Sequence, residues 1–131
     1  MTKQELKQYR NILKAIDRLE EEILMWRTRI TSTAQSLEHI PKPTAHKDRI
    51  GDAIAEMESI RELIEEKYTE LFEKRQAIEI AIASLNTADA LIITMKYVDG
   101  KKWEQIAIDL NYSVQYVWKK HRQILEELKT L

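Results

Sequence analysis

The chain has 131 residues with a formal net charge of −1, enough for one domain, or one small domain with an extended element, and not a broadly basic protein. Two Gly and two Pro against abundant Glu, Lys, Leu, Ile and Ala predict an all-α fold. The absence of cysteine excludes disulfides and thiolate metal sites, and without a membrane-length apolar run or a signal-peptide core the expected address is the cytoplasm.

Lys3–Ile30 reads as a long amphipathic helix, with Leu6, Tyr9, Leu13, Ile16, Leu19, Ile23, Trp26 and Ile30 recurring at helical steps. Arg27 and Arg29 near its end suit the helix dipole. Trp26 lies on the apolar stripe and is read as core rather than as a ligand platform.

Thr31–Lys47 reads as an interruption. Thr31, Ser32 and Thr33 weaken the helix and Pro41 and Pro43 stop it, with Leu37 and Ile40 available to dock a short turn. His39 and His46 share the segment, but no third ligand completes a metal set.

A second, longer helix is expected from near Asp48–Asp52 to about Leu85, roughly 55 Å at ~1.5 Å per residue. Ile50, Met57, Ile64, Leu71, Ile78 and Leu85 repeat every seven residues. A companion seam holds Ala53/Ile54, Ile60, Tyr68 and Ala81/Ile82, and is broken by Lys67, Lys74 and Arg75. A strict seven-residue repeat means supercoiling against a partner helix. The first helix can fold back as that partner, giving a long antiparallel, coiled-coil-like hairpin. Ile12, Leu24, Leu63, Phe72 and Ile80 lie off the seams and need cover, so self-association to a homo-oligomer is expected.

Asn86 and Thr87 mark a boundary. Residues 1–86 form the expected hairpin unit for oligomerisation or docking, and residues 87–131 a small C-terminal unit that leans on Leu85. Thr87 is expected to cap a support helix in which Leu91, Ile92, Met95 and Tyr97 are packed and Asp89 sits in the first turn. Asp99 and Gly100 then turn the chain.

Gly100–Leu128 reads as a helix-turn-helix. Trp103, Ile106, Ala107 and Leu110 line one face of a short helix. Asn111 suits a left-handed stop, and Ser113 offers a cap to the next helix. That helix carries Val117, His121, Ile124, Leu125 and Leu128 inward, and Gln115, Tyr116, Lys119, Lys120 and Gln123 outward. Such a pair can set the front of its second helix into a DNA major groove.

Tyr97, Gly100, Trp103, Ile106-Ala107, Leu110, Ser113 and Val117 give Tyr97–Leu128 a pattern that resembles bacterial sigma factor region 4. Asn111 replaces the usual turn Gly, and Lys102 stands where a capping Ser or Thr is usual. The whole chain resembles small phage and prophage regulators of the ArpU/RinA-like kind. That resemblance implies a sequence-specific DNA-binding transcription regulator in a bacterial host cell, with RNA polymerase as a possible partner.

Double-stranded DNA is the expected partner, and recognition rather than catalysis the expected work. Ser113 and the backbone N–H groups behind it can hold a phosphate. Gln115 and Tyr116 reach base edges, Gln suiting adenine and Tyr a phosphate or thymine methyl, and Lys119 lies one turn further along. Lys101, Lys102, Lys120 and Arg122 are expected phosphate anchors, and Gln123 completes the free face. Trp118 is read as packed against the support helix or a partner, and His121 as a structural core histidine. Residues 87–131 hold 7 Lys+Arg against 6 Asp+Glu, net +1, so one copy offers few phosphate contacts and two copies on one site are expected.

No Gly-rich phosphate loop, catalytic triad or nucleophilic cysteine is present, so neither an enzyme nor a cofactor is expected. Two rival readings stay open. One is a DNA-binding assembly component resembling a phage packaging terminase small subunit, which would form a large ring. The other is a sigma-like protein–protein adaptor that never touches DNA.

Overall fold

A computed structural model describes residues 1–37 and 44–130. Expectations resting on Leu37, His39, Ile40, Pro41, Pro43 and His46 lie outside the described residues and side chains. The fold is all-α: α1 (Lys3–Leu37), α2 (Thr44–Ile82), α3 (Thr87–Ile93), α4 (Trp103–Leu110) and α5 (Val114–Lys129), with α3 prolonged by a π-helical turn at Thr94–Val98. Among the described residues no helix is long and apolar enough to cross a membrane.

α1 runs past the expected end at Ile30. Thr28 and Thr31 donate their hydroxyls to the carbonyls of Leu24 and Arg27, at 2.9 and 3.0 Å, so their polar groups are satisfied inside the helix. Their weaker propensity amounts to only about 0.5 kcal/mol each, too little to stop it. α2 begins earlier than expected, at Thr44, and ends at Ile82 rather than Leu85, where a tight turn donates Leu85 N–H to the Ile82 carbonyl at 3.0 Å.

The chain groups into two compact units, Lys14–Thr69, and Met1–Leu13 with Glu70–Leu131. The boundary read at Asn86 is a helix break inside the second of these.

In Lys14–Thr69, α1 and α2 pair antiparallel. Tyr68 donates to the Glu20 carboxylate at 3.4 Å, while further along Trp26 and Ile30 share a cavity wall with Ile50 and Ala53. Ile23, Met57 and Ile60 are buried between the helices, flanked by Leu19, Trp26, Ile30 and Ile64. The seven-residue seam therefore faces its own chain. Trp26 packs on this core, as its place on the stripe predicts, with the Arg29 guanidinium 4.8 Å from its ring. Leu24, Met25, Ile54 and Leu63 stay exposed.

The other unit has one core, made by Leu6, Ile78, Ile92, Ile93, Tyr97, Val98, Ile106, Ala107, Val117, Ile124 and Leu128. Leu6 is fully buried there, and Ile82 and Leu85 pack at its edge. Arg10 donates to the Val98 carbonyl at 3.3 Å, and the Met1 nitrogen to the Leu128 carbonyl at 2.7 Å. Phe72 and Ile80 remain exposed.

Candidate nucleic-acid interface

The support helix starts one residue earlier than expected. Asn86, not Thr87, is its cap: Asn86 Oδ1 accepts the Asp89 N–H at 2.9 Å, and Asn86 Nδ2 donates back to the Asp89 carboxylate at 3.3 Å. Thr87 is the first helical residue. The π-helical turn donates Asp99 N–H to the Thr94 carbonyl at 3.0 Å. Five-residue spacing of that kind puts the adjacent pairs Ile92-Ile93 and Tyr97-Val98 on one buried face. Leu91, expected in the core, is left 39% exposed because that face turns away from it.

Gly100 follows with φ 71°, in the left-handed region. A Cβ at Gly100 would come within 2.6 Å of the Arg10 guanidinium. α4 then begins with Lys102 at its cap position, which makes no side-chain hydrogen bond, as the missing Ser or Thr predicts. Ile106 and Ala107 are buried against α5, and the small Ala107 side chain suits a close crossing.

The turn is built as its residue types predict. Asn111 is left-handed at φ 59° and ψ 43°, and the Tyr112 N–H closes the end of α4 on the Ala107 carbonyl at 2.9 Å. Ser113 Oγ accepts the Tyr116 N–H at 3.1 Å and so starts α5. That bond uses one lone pair of the Ser113 oxygen and does not use its hydroxyl hydrogen.

Val117, His121, Ile124 and Leu128 hold α5 to the core, so the opposite side faces solvent. Gln115, Tyr116, Lys119, Arg122 and Gln123 are all exposed there, and Lys102 is exposed at the front of α4. Among the described residues, Lys102, Lys119 and Arg122 make no ion pair.

Two expected phosphate anchors are already engaged. Lys101 Nζ lies 2.9 Å from the Asp109 carboxylate, and Asp109 also accepts from Gln105 at 2.7 Å. The ion pair holds Asp109 below the ordinary carboxylate range and Lys101 above the ordinary lysine range. Lys120 is only partly exposed, its Nζ 3.6 Å from the buried Asp89 carboxylate. Sequence spacing placed both lysines outward but carried no sign of the acids they face.

Tyr116 has a neighbour that sequence reading missed. The Tyr112 and Tyr116 rings lie 4.7 Å apart, tilted by 52°. With Lys120, Asn86, Ala88, Asp89 and Ile92 they line a cavity of about 320 Å³. Trp118, expected to pack against the support helix or a partner, is 45% exposed in the single chain.

His121 is a core histidine, as its position predicts. Its Nε2 shares a hydrogen bond of 2.5 Å with the Tyr97 hydroxyl, and the Trp103 ring meets it edge-on with centroids 4.6 Å apart. Burial, reinforced by Lys3 and Lys96, lowers its pKa to about 4, so the ring is neutral at pH 7. Burial also pushes the Tyr97 phenol up to about 12. Lys96 Nζ sits over the Trp103 ring, 4.6 Å from its centroid.

The model of a family described as protein of unknown function (DUF722) matches residues 6–130. Comparison with curated proteins and with solved structures gives no match.

Proposed function

The chain belongs to the DUF722 family, and we propose that this member is a sequence-specific DNA-binding transcription regulator that reads the major groove with α5. One observation carries the reading. A capped helix follows a tight left-handed turn, and its solvent side presents Gln115, Lys119 and Arg122, with no acid among the described residues paired to either cation. Phosphate contacts from Lys102 and Arg122 set the register, while Gln115, Tyr116 and Lys119 meet base edges. Ser113 donates its hydroxyl to a phosphate beside the α5 N-terminus.

Three unpaired cations make a weak grip for one copy at physiological salt. Exposed Leu24, Met25, Ile54, Phe72 and Ile80 on α1 and α2 support pairing of two copies, which doubles the contacts on one site. RNA polymerase as a further partner rests on the sigma-like pattern of Tyr97–Leu128. The phage or prophage setting and the bacterial cytoplasm rest on the same resemblance.

A salt titration of the full chain on duplex DNA tests the reading. With three cations per copy brought against the duplex, log K should fall against log salt with a slope of about −3 for a monomer and about −5 for a dimer. No salt-dependent binding at any concentration refutes the reading and leaves a protein-binding adaptor. A large ring by light scattering replaces it with a DNA-packaging assembly component.

A further inference from the structure

Trp118 is the largest side chain on α5 and is 45% exposed. It stands three residues after Gln115 and four before Arg122, spacings that place these side chains side by side on a helix surface. On one side it adjoins Gln115 and Arg122 and on the other Val114 and Leu125, which pack at the edge of the core; Val114–Gln123 contains no carboxylate, and the acids of α5 begin at Glu126. An exposed indole gains little in an isolated protomer, because half of its apolar area stays in water. Set among a glutamine and two unpaired cations at the front of a groove-sized helix, it has the surroundings of a contact to a polyanion. A protein surface rich in apolar groups would not match those cations.

We infer that Trp118 reads a base pair in the major groove by packing its indole on the 5-methyl group of a thymine. This rests on the DNA-binding reading above. The major groove exposes one apolar group, the thymine methyl, and a large flat side chain distinguishes it from the bare C5–H of cytosine. Gln115 and Lys119 supply polar discrimination on the same face, and Trp118 adds an apolar contact that neither can make.

The experiment uses the full chain and a pool of short duplexes randomised at every position. Wild type and Trp118→Ala each select their preferred sequences. The wild-type winner is then remade with uracil in place of thymine. Wild-type affinity should fall by about fivefold on loss of the methyl, whereas W118A should be indifferent and its selected sequences should lose one thymine. Trp118→Phe, which keeps a flat apolar ring, should retain most of the discrimination. Equal uracil tolerance by wild type overturns the inference while the DNA-binding reading stands, and this arm needs no variant to fold. Unchanged DNA selection by W118A, with loss of a dimer in sedimentation, also overturns it and assigns the indole to a protein interface. If wild type selects no duplex at all, both readings fall together.

Discussion

Tyr97 and His121 meet inside the core, the phenol oxygen 2.5 Å from His121 Nε2, and they tie the π-helical end of α3 to α5. Both side chains are almost wholly buried, at 4% and 6% exposed, so their hydrogen bond has no water to replace it.

The pair makes stability depend on acid. In the folded protein His121 takes up a proton only near pH 4, whereas an unfolded histidine does so near 6.5. Between those values the unfolded chain binds the extra proton, so stability falls as pH drops from 6.5 towards 4. The loss should be on the order of 2–3 kcal/mol across that window, with no contribution from His121 above it. Urea unfolding at a series of pH values checks this. The double variant His121→Phe, Tyr97→Phe, which leaves no orphaned hydroxyl, should flatten the curve between pH 5 and 6.5, where carboxylates contribute least. A curve as steep as the parent's would place the transition elsewhere.

The left-handed residue of the turn gives a sharper stability test. Asn111 holds φ 59°, a conformation that Gly adopts freely and Ala resists. Asn111→Gly should therefore leave the midpoint of unfolding nearly unchanged, while Asn111→Ala should lower stability by about 1 kcal/mol. Thermal melts of both variants decide it. An equal loss in both would mean that the Asn side chain, rather than its backbone, holds the turn.

This turn was legible in the sequence because Asn111 and Ser113 act through local backbone chemistry that residue type alone specifies. The two long helices were legible for a similar reason, since a seven-residue repeat has one geometric consequence. Helix ends were less so, because Thr28 and Thr31 satisfy themselves within α1 and Asn86 outbids Thr87 as a cap. Contacts across the fold were hidden. Nothing near Leu6 marks it as part of the same core as Val117, and nothing near Lys120 or Lys101 announces Asp89 or Asp109. The π-helical turn shifts the buried face at Ile92-Ile93 and exposes Leu91, a change of register that a 3.6-residue period does not anticipate.

Asp89 should have opposite effects on folding and on DNA binding. Its buried carboxylate accepts from Asn86 and pairs with Lys120, so it fixes both the start of α3 and one flank of α5. Asp89→Asn removes the charge but keeps the size, and should lower stability by about 1–3 kcal/mol. It also frees Lys120 for a phosphate. Duplex affinity at low salt should then rise, and the salt slope should steepen by about one per copy. Chemical unfolding and a salt titration on the same preparation read the two effects. A destabilised variant with an unchanged slope would show that Lys120 does not reach DNA.

Sequence discrimination should be separable from grip on the same helix. Gln115 and Lys119 are exposed on α5 behind the Ser113 cap, one turn apart, where a groove-bound helix meets base edges. Gln115→Ala should reduce the preference for the best duplex over a scrambled one by ~1–3 kcal/mol, and Lys119→Ala should do the same if it meets a guanine. Lys102→Ala, at the front of α4, should weaken both duplexes alike and reduce the salt slope by about one. The comparison requires only paired titrations of each variant on both duplexes. Gln115→Ala and Lys119→Ala variants that keep the parent's ratio would remove α5 from sequence reading, and a Lys102→Ala effect confined to the best duplex would make Lys102 a base contact instead.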